Sequence, residues 1–550
     1  MRSEGKSNVL AAGGEAKTPY WIAAGLILLL GGLVRFYRAG QQIILDDEWH
    51  ALNVVQDTDY GFIFSHLGHA DHSIPLALMF EWFSHTIGLS EFTMRLPSLL
   101  AGVVIIVAFP LLMRPWLNRD ERLLTAALLA LSPFLINFSR VARPYSLLAL
   151  LTGCSLPLAW RWWQSERRGF GPAWYLCTVL AAWLNPVSLV ITTAPFLWFG
   201  MEALIAGAGG RGWRPLRRLA TIGMAMLATL GALFYLPIES DFVSLALKSG
   251  MDHANFGTWS VLLGLYAGSG YDAIVAAMAL ASWLGLLILR QRDSSFSVYL
   301  AGIAVLSGFA ISFTGAQWLQ YGLVPARYLI GLLPAYLALI AIALIATAGW
   351  LQRKLNWPPA ARQGFTLVLL LLLILAGPLR SWDLAHSQFV HHLANQFDYR
   401  PSRNAILLAH ESLQVEPFYA EIAQRHPNGD AVIVEAPWYL ESHWNPLYLS
   451  QRVHGQRVLI GFVGGLCAGP LYGELKPEAA GLEFRNFVYL TDVLAGQIAA
   501  DYLVLRRAGI EGARTIDMDF DKCEQAARKR FGAPWRTAEN VLVFRLDSGG

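Results

Sequence analysis

Residues 20–34 read Y-W-I-A-A-G-L-I-L-L-L-G-G-L-V, and residues 43–52 read I-I-L-D-D-E-W-H-A-L. The first stretch holds no charge and suits the interior of a bilayer. The second places three carboxylates, Asp46, Asp47 and Glu48, where the chain leaves it. A plain boundary needs one polar residue, or a Trp or Tyr at headgroup level. Three acids together raise a question of chemistry as well as of topology.

Composition extends the first reading to the whole chain. Of 550 residues, 55% are hydrophobic and 15% charged, and the mean hydropathy is +0.42. Soluble domains carry about a quarter charged residues. The net charge of +3 decides little, because the placement of charge orients a membrane chain. No nucleic-acid partner is expected.

A spanning helix needs roughly 17–25 mostly apolar residues, and about eleven stretches qualify. They are 20–38, 97–113, 123–139, 145–160, 172–186, 188–205, 219–237, 272–289, 296–315, 327–350 and 364–380. The pair 172–186 and 188–205 parts only at Asn185-Pro186. Alternate connections collect the basic residues: Arg114, Arg119 and Arg122; Arg161, Arg167 and Arg168; Arg211, Arg214, Arg217 and Arg218; Arg290 and Arg292; Arg353, Lys354 and Arg362. The positive-inside rule makes this side, with the tail 1–19, cytoplasmic. The other side takes residues 39–96, 139–144, 238–271, 316–326 and the chain after about 381. Arg35 and Arg38, at the outer end of the first helix, run against the rule.

Within 39–96, the segment S-I-P-L-A-L-M-F-E-W-F-S-H-T-I-G-L (73–89) is apolar but broken by Glu81 and His85. As a span it would invert every later connection, so it is expected to lie in the outer interface. After about 381 short β-rich runs (431–436, 457–462, 502–505, 541–546) alternate with helix-like stretches (404–425, 491–500). That alternation predicts a small α/β domain. The expected fold is therefore an α-helical polytopic membrane protein of about eleven transmembrane helices. It has a tail at 1–19, a transmembrane domain at 20–380 with the outer loop 39–96, and an extracytoplasmic α/β domain at 381–550. Cys154 and Cys177 read as packing residues. Cys467 and Cys523 can pair if their domain faces an oxidising space.

Four clusters on the outer side can carry chemistry. Asp46-Asp47-Glu48 shares its loop with H-A-D-H-S-I-P (69–75), which holds His69, Asp71 and His72. Carboxylates gathered at a membrane surface can act as a general base, or hold a divalent cation with a His. Taken singly, His69 and His72 read more simply as surface histidines. The stretch I-N-F-S-R-V-A-R-P-Y-S-L-L (136–148) sets Arg140 and Arg143 where orientation disfavours arginine, and a forked guanidinium there suits phosphate. V-P-A-R-Y-L-I-G-L-L-P-A-Y (324–336) repeats the pattern with Arg327 and Tyr328. Asp252 and His253, in K-S-G-M-D-H-A-N-F (248–256), offer a weaker metal or sugar contact. The helix middles hold almost no ionisable residues, whereas transporters need them near the midplane. Polar chemistry on the outer face alone favours an enzyme acting on a lipid-linked substrate.

These residues resemble the C superfamily of polytopic glycosyltransferases, which includes protein O-mannosyltransferases and aminoarabinose transferases of lipid A. The acidic D-E pair after the first helix is matched by Asp47-Glu48, and the later acid with a proline-leucine pair by Asp71 and Pro75-Leu76. The pattern G-x-x-E-F-x-x-R-L-P-S is matched by Gly88 to Ser98, S-x-x-A-R-x-Y-S-L by Ser139 to Leu147, and a late R-Y by Arg327-Tyr328. The family's H-P-P-L-Y-Y is replaced here by Ser73-Ile74-Pro75-Leu76-Ala77-Leu78.

The resemblance implies a sugar donor on a polyprenyl phosphate and a glycan, lipid or protein acceptor. It implies inverting transfer at the periplasmic face of a bacterial inner membrane. Asp47 would be the base, with Glu48 its motif neighbour and Asp71 a second acid. Arg143, Arg327 and Arg140 would bind the lipid phosphate, with Tyr145 and Tyr328 in support. A divalent metal, if bound, would fall to Asp71, His72 and His253. The competing readings are a flippase for lipid-linked sugars and a non-catalytic assembly subunit for envelope polysaccharide.

Overall fold

The computed structural model describes residues 18–37, 39–40, 48, 51, 54–55, 58–67, 73–165, 169–247, 252–269, 271–315, 319–358, 364–365, 367–369, 371–372, 415–437, 447–463, 466–467, 487–507 and 519–546. The membrane part runs α1 (Thr18–Phe36), α2 (Tyr60–Ser65), α3 (Ile74–Thr86), α4 (Glu91–Leu112), α5 (Arg119–Leu131), α6 (Pro133–Ser139), α7 (Tyr145–Gln164) and α8 (Phe170–Leu184). It continues with α9 (Leu189–Thr192), α10 (Ala194–Ala206), α11 (Arg214–Leu247), α12 (Phe256–Ala267), α13 (Asp272–Arg292), α14 (Ser294–Thr314), α15 (Leu323–Tyr328) and α16 (Leu333–Lys354).

Among the described residues, six helical stretches are long and apolar enough to cross a membrane: Glu91–Leu112, Pro186–Gly209, Arg214–Val243, Asp272–Arg292, Ser294–Thr314 and Ile330–Lys354. The bent pair α5–α6 makes a seventh. Tyr20–Phe36 and Phe170–Leu184 are apolar but shorter. The expected span 145–160 forms α7, which carries Ser, Thr and Pro and is lined mostly by buried residues. A helix surrounded by other helices need not match lipid. Most of 364–380 lies outside the described residues. The chain is an integral membrane protein on this count. The segment 73–89 forms α3, whose 13 residues are too short to span.

Local chemistry starts the helices that frame the bundle. At α4, Ser90 Oγ accepts from Thr93 N at 3.1 Å while Thr93 Oγ1 accepts from Ser90 N at 2.8 Å. At α5, Asn118 and Glu121 exchange the same pair of bonds, at 3.0 and 2.9 Å. Each box satisfies two orphan amides of a first turn. Glu121 also takes a two-pronged pair from Arg292, at 2.7 and 2.8 Å. Trp116 Nε1 donates to Asp293 at 2.9 Å, and Arg119 lies 4.3 Å over the Tyr20 ring. Arg218 donates to the carbonyls of Trp162 and Ser165. Contacts thus join basic connections at the same helix ends that the alternation of charge assigns to one side.

The C-terminal part contains α17 (Phe418–Arg425), β1 (Val432–Ala436), α18 (Leu447–His454), β2 (Arg457–Phe462), β3 (Phe487–Tyr489), α19 (Leu490–Ala495), β4 (Tyr502–Arg506), α20 (Phe520–Phe531), β5 (Arg536–Ala538) and β6 (Val541–Arg545). The sheet order is β3-β2-β1-β4-β6-β5. Strands β1, β2, β3 and β4 run parallel, and β6 pairs antiparallel with β4 and β5. Alternation along β1 sends Val434 and Ala436 into one core and Ile433 into the other, so helices cover both faces. This is the predicted α/β domain. Cys467 and Cys523 form a disulfide, with Cα atoms 5.5 Å apart. It ties the segment after β2 to α20.

Candidate active site

The acidic boundary that opens the sequence question is only partly within the described residues. Asp46 and Asp47 lie outside them. Glu48 is described, and it is fully buried. Arg95 of α4 grips it with two prongs, Nε to Oε1 at 2.8 Å and Nη2 to Oε2 at 2.6 Å. Oε1 also accepts from the backbone N–H of Ala142 at 2.6 Å. Arg95 Nη1 reaches the carbonyl of Ala39 at 3.0 Å. One carboxylate therefore joins three places in the chain: the connection after α1, the start of α4 and the 140–144 turn. A buried pair with such geometry fixes position, because breaking it strands a charge. Glu48 was expected among the catalytic acids. The structure shows its carboxylate taken up by Arg95 and the Ala142 amide.

The motif residues around it now have physical reasons. Gly88 sits at φ +80°, the left-handed conformation that closes α3 through its N–H to Phe83 O at 2.8 Å. Ser90 caps α4, Arg95 holds Glu48, and Ser98 Oγ donates to the Arg143 carbonyl at 2.9 Å. Pro75 stands in the first turn of α3, where its missing N–H costs nothing. On the far side of the loop, α11 kinks at Asp241, whose Oδ2 accepts from Leu67 N at 2.5 Å. The two longest connections of this side are thereby tied together.

Arg140 was expected at the lipid phosphate. It is fully buried, and its Nη1 donates to the carbonyls of Tyr37 at 2.6 Å, Arg35 at 2.8 Å and Val34 at 3.3 Å. Those are carbonyls at the end of α1, which a helix leaves without internal donors. Arg140 caps that helix with its side chain buried.

Tyr145, Arg327 and Tyr328 do come together, and Arg143 stands two residues before Tyr145 in the turn that opens α7. Arg143 and Arg327 are half-buried, and Tyr145 is buried at the start of α7. The Arg327 guanidinium lies 5.2 Å from the centroid of Tyr145 and 5.6 Å from that of Tyr328. Cation–π contact and burial of the stem hold the guanidinium against these two rings. Tyr145 packs edge-on against Phe138 at 5.0 Å. Arg327 rides on a short helix followed by a 3-10 turn (Ile330–Leu332) that presses on α7. A Cβ on Gly331 would stand 1.8 Å from Thr152 Oγ1, and one on Gly153 would stand 3.0 Å from Pro334 Cγ. Only glycines permit this approach.

Asp71 and His72 lie outside the described residues, as does His69. His253 is described and exposed. Among the described residues no group of three His, Cys, Asp or Glu side chains could hold a metal ion. Arg95, Gly153 and Gly331 are the site-building residues that pattern reading did not single out. Arg95 stood inside a quoted motif, and its position one turn into an apolar helix was the available signal. The glycines carried none.

No protein-family model and no curated protein matches the chain. Solved structures do. ArnT from Cupriavidus metallidurans bound to undecaprenyl phosphate superposes with a TM-score of 0.55 at 14% identity, over 97% of this chain and 99% of that one. The same protein in its apo state gives a TM-score of 0.54 at 14% identity, over 96% and 98%. At such identity the likeness is one of fold, and it extends over the bundle and the α/β domain together.

Proposed function

We propose that the chain is an integral-membrane glycosyltransferase that moves a sugar from a polyprenyl-phosphate donor to an acceptor hydroxyl at the outer face of the membrane. The observation that carries this reading is the meeting of Arg327 and Tyr145, which gathers two outer-side arginine segments at one end of the bundle. The fold it shares with a protein solved with undecaprenyl phosphate supports a lipid phosphate as the anion. The C-terminal disulfide supports an oxidising compartment, hence a periplasmic domain and a cytoplasmic N-terminus.

The chemistry follows from the residues. Asp47 is peptide-bonded to Glu48, whose carboxylate is clamped by Arg95 and Ala142. Asp47 takes the proton of the acceptor hydroxyl as that oxygen attacks the anomeric carbon. The bond from carbon to phosphate oxygen breaks on the opposite side, and its electron pair leaves with the phosphate. Attack opposite the leaving group inverts the anomeric centre. Arg143 and Arg327 meet the charge that grows on the phosphate. Tyr145 and Tyr328 keep Arg327 aimed. Asp71 stands by as a second acid. A divalent cation held by Asp71 and His72, with His253, would add Lewis-acid stabilisation of the same phosphate, and no step here is routed through it.

The test uses the full chain in lipid nanodiscs with a polyprenyl-phosphate sugar and a panel of lipid, glycan and peptide acceptors. The reading predicts an acceptor heavier by one sugar residue and free polyprenyl phosphate in equal amount. Movement of the intact donor across a vesicle membrane without either product would favour a carrier instead.

A further inference from the structure

Arg35 is one of the two basic residues at the end of α1 that run against the alternation of charge. In the structure it is fully buried, deep in the contact between α1 and the bent pair α5–α6. Its Nη1 donates to Gly31 O at 3.0 Å and to Ala130 O at 2.8 Å, and its Nη2 donates to Leu129 O at 3.0 Å. Leu129 and Ala130 sit in the last turn of α5, whose carbonyls have no donors further along the helix.

Pro133 is the reason they lack donors. It has no N–H for Leu129 O, and it disfavours helical geometry at the residue before it. Ser132 accordingly sits at φ −60°, ψ 117°, and α6 departs at 55°. Water would normally serve such carbonyls, but a bilayer supplies none. The forked guanidinium of Arg35 takes two successive carbonyls in its place, a geometry that a lysine ammonium cannot copy. Helix α4 closes over the same point. A Cβ on Gly102 would stand 2.6 Å from Ser139 Cβ and 2.9 Å from Arg35 Nε. Helix α6 then ends directly in the turn that carries Arg143.

We infer that Arg35 is a positioning residue for the transfer reaction: it holds the α5–α6 bend at the angle that delivers Arg143 to the donor phosphate. This rests on the phosphate role proposed for Arg143. Arg35 is buried away from solvent and touches no substrate itself.

The experiment takes full-length protein in nanodiscs as wild type, Arg35→Met, Arg35→Lys, Pro133→Ala and the Arg35→Met/Pro133→Ala double variant. Polyprenyl phosphate binding is measured, together with donor and acceptor KM. Loss of the clamp is expected to weaken polyprenyl phosphate binding and raise donor KM by roughly tenfold or more, with acceptor KM little changed. Arg35→Lys should recover part of the loss. In the Pro133→Ala background the loss should shrink, because residue 133 then offers Leu129 an N–H. If Arg35→Met does not fold, Arg35→Lys must show the same donor-selective defect. Wild-type binding by either Arg35 variant, or equal damage to donor and acceptor, overturns the inference and leaves the phosphate reading standing. Failure of wild type itself to bind polyprenyl phosphate overturns both.

Discussion

Arg35 caps α5, and Arg140 caps the helix that carries Arg35. Arg35 projects from α1 to the Leu129 and Ala130 carbonyls at the end of α5, at 3.0 and 2.8 Å. Arg140, just past α6, returns to the Arg35 carbonyl at 2.8 Å and the Tyr37 carbonyl at 2.6 Å. Each cation meets the negative end of a helix dipole. Two arginines that seem misplaced by topology are in this way part of the packing.

The two arginines of the 140–143 turn should therefore fail differently. Arg140→Lys is expected to lower the melting temperature, with about 1.5–3 kcal/mol lost for charged hydrogen bonds. The protein that remains folded should still bind donor. Arg143→Lys should leave melting nearly unchanged and weaken donor binding. Thermal unfolding and polyprenyl phosphate binding on both variants check the split.

The Glu48–Arg95 clamp should behave as one unit. Either Glu48→Gln or Arg95→Met removes one partner of a buried pair, at an expected cost of about 3–5 kcal/mol. The double variant should cost clearly less than the sum. A double-mutant cycle on unfolding in nanodiscs measures the coupling, and simple additivity would remove the positioning role.

Gly331 lets the turn after the Arg327 helix approach Thr152 of α7 closely. Gly331→Ala forces a Cβ to 1.8 Å from Thr152 Oγ1. Overpacking of this kind typically costs about 1–3 kcal/mol and moves the backbone. Donor KM should rise with it. Gly25→Ala, where a Cβ meets nothing within 4 Å, is the matched control and should be silent.

The C-terminal domain carries an acid-sensitive point. His454 on α18 is buried, stacks on the Tyr419 ring, and uses Nδ1 to accept from Gln456 N at 2.9 Å. Burial pushes its pKa down from 6.5 to about 4. The folded domain thus resists a proton that the unfolded chain accepts, so stability falls as pH drops from about 6.5 to about 4. The loss is at most about 3 kcal/mol. Glu435, held above the ordinary carboxylate range by burial, works in the opposite sense: its contribution is present at low pH and is lost as pH rises. The comparison is therefore of wild type with His454→Phe, by hydrogen exchange of β1 and β2 amides in the full chain at pH 7 and pH 4.5. The variant should show the weaker pH dependence.

Hydropathy finds the long helices because lipid-facing residues must be apolar along their whole length, as in Arg214–Val243. Its signal is weaker where a helix such as α7 is surrounded by protein, since packing neighbours replace lipid as the selecting environment. Period-two runs find β1, β2, β4 and β6. The three-residue strands β3 and β5 are too short to show a period. Arg143 and Arg327 are legible because an arginine at an outer helix end violates a charge rule. Arg140 violates the same rule for a different reason, and only the carbonyls it meets separate the two. Sequence pattern cannot show which arginine serves a helix end, because each is a costly arginine in an apolar context.

The central claim is that Asp47 is the base of a sugar transfer at the point where the first helix leaves the membrane. The direct measurement is the rate of acceptor glycosylation by wild type and Asp47→Asn, in nanodiscs, at saturating donor and with polyprenyl phosphate binding measured on the same preparations. The account predicts donor binding within about twofold and a transfer rate lower by about 10²–10⁴-fold, the usual weight of a general base. Asp47→Asn that folds normally and transfers at the wild-type rate would contradict it.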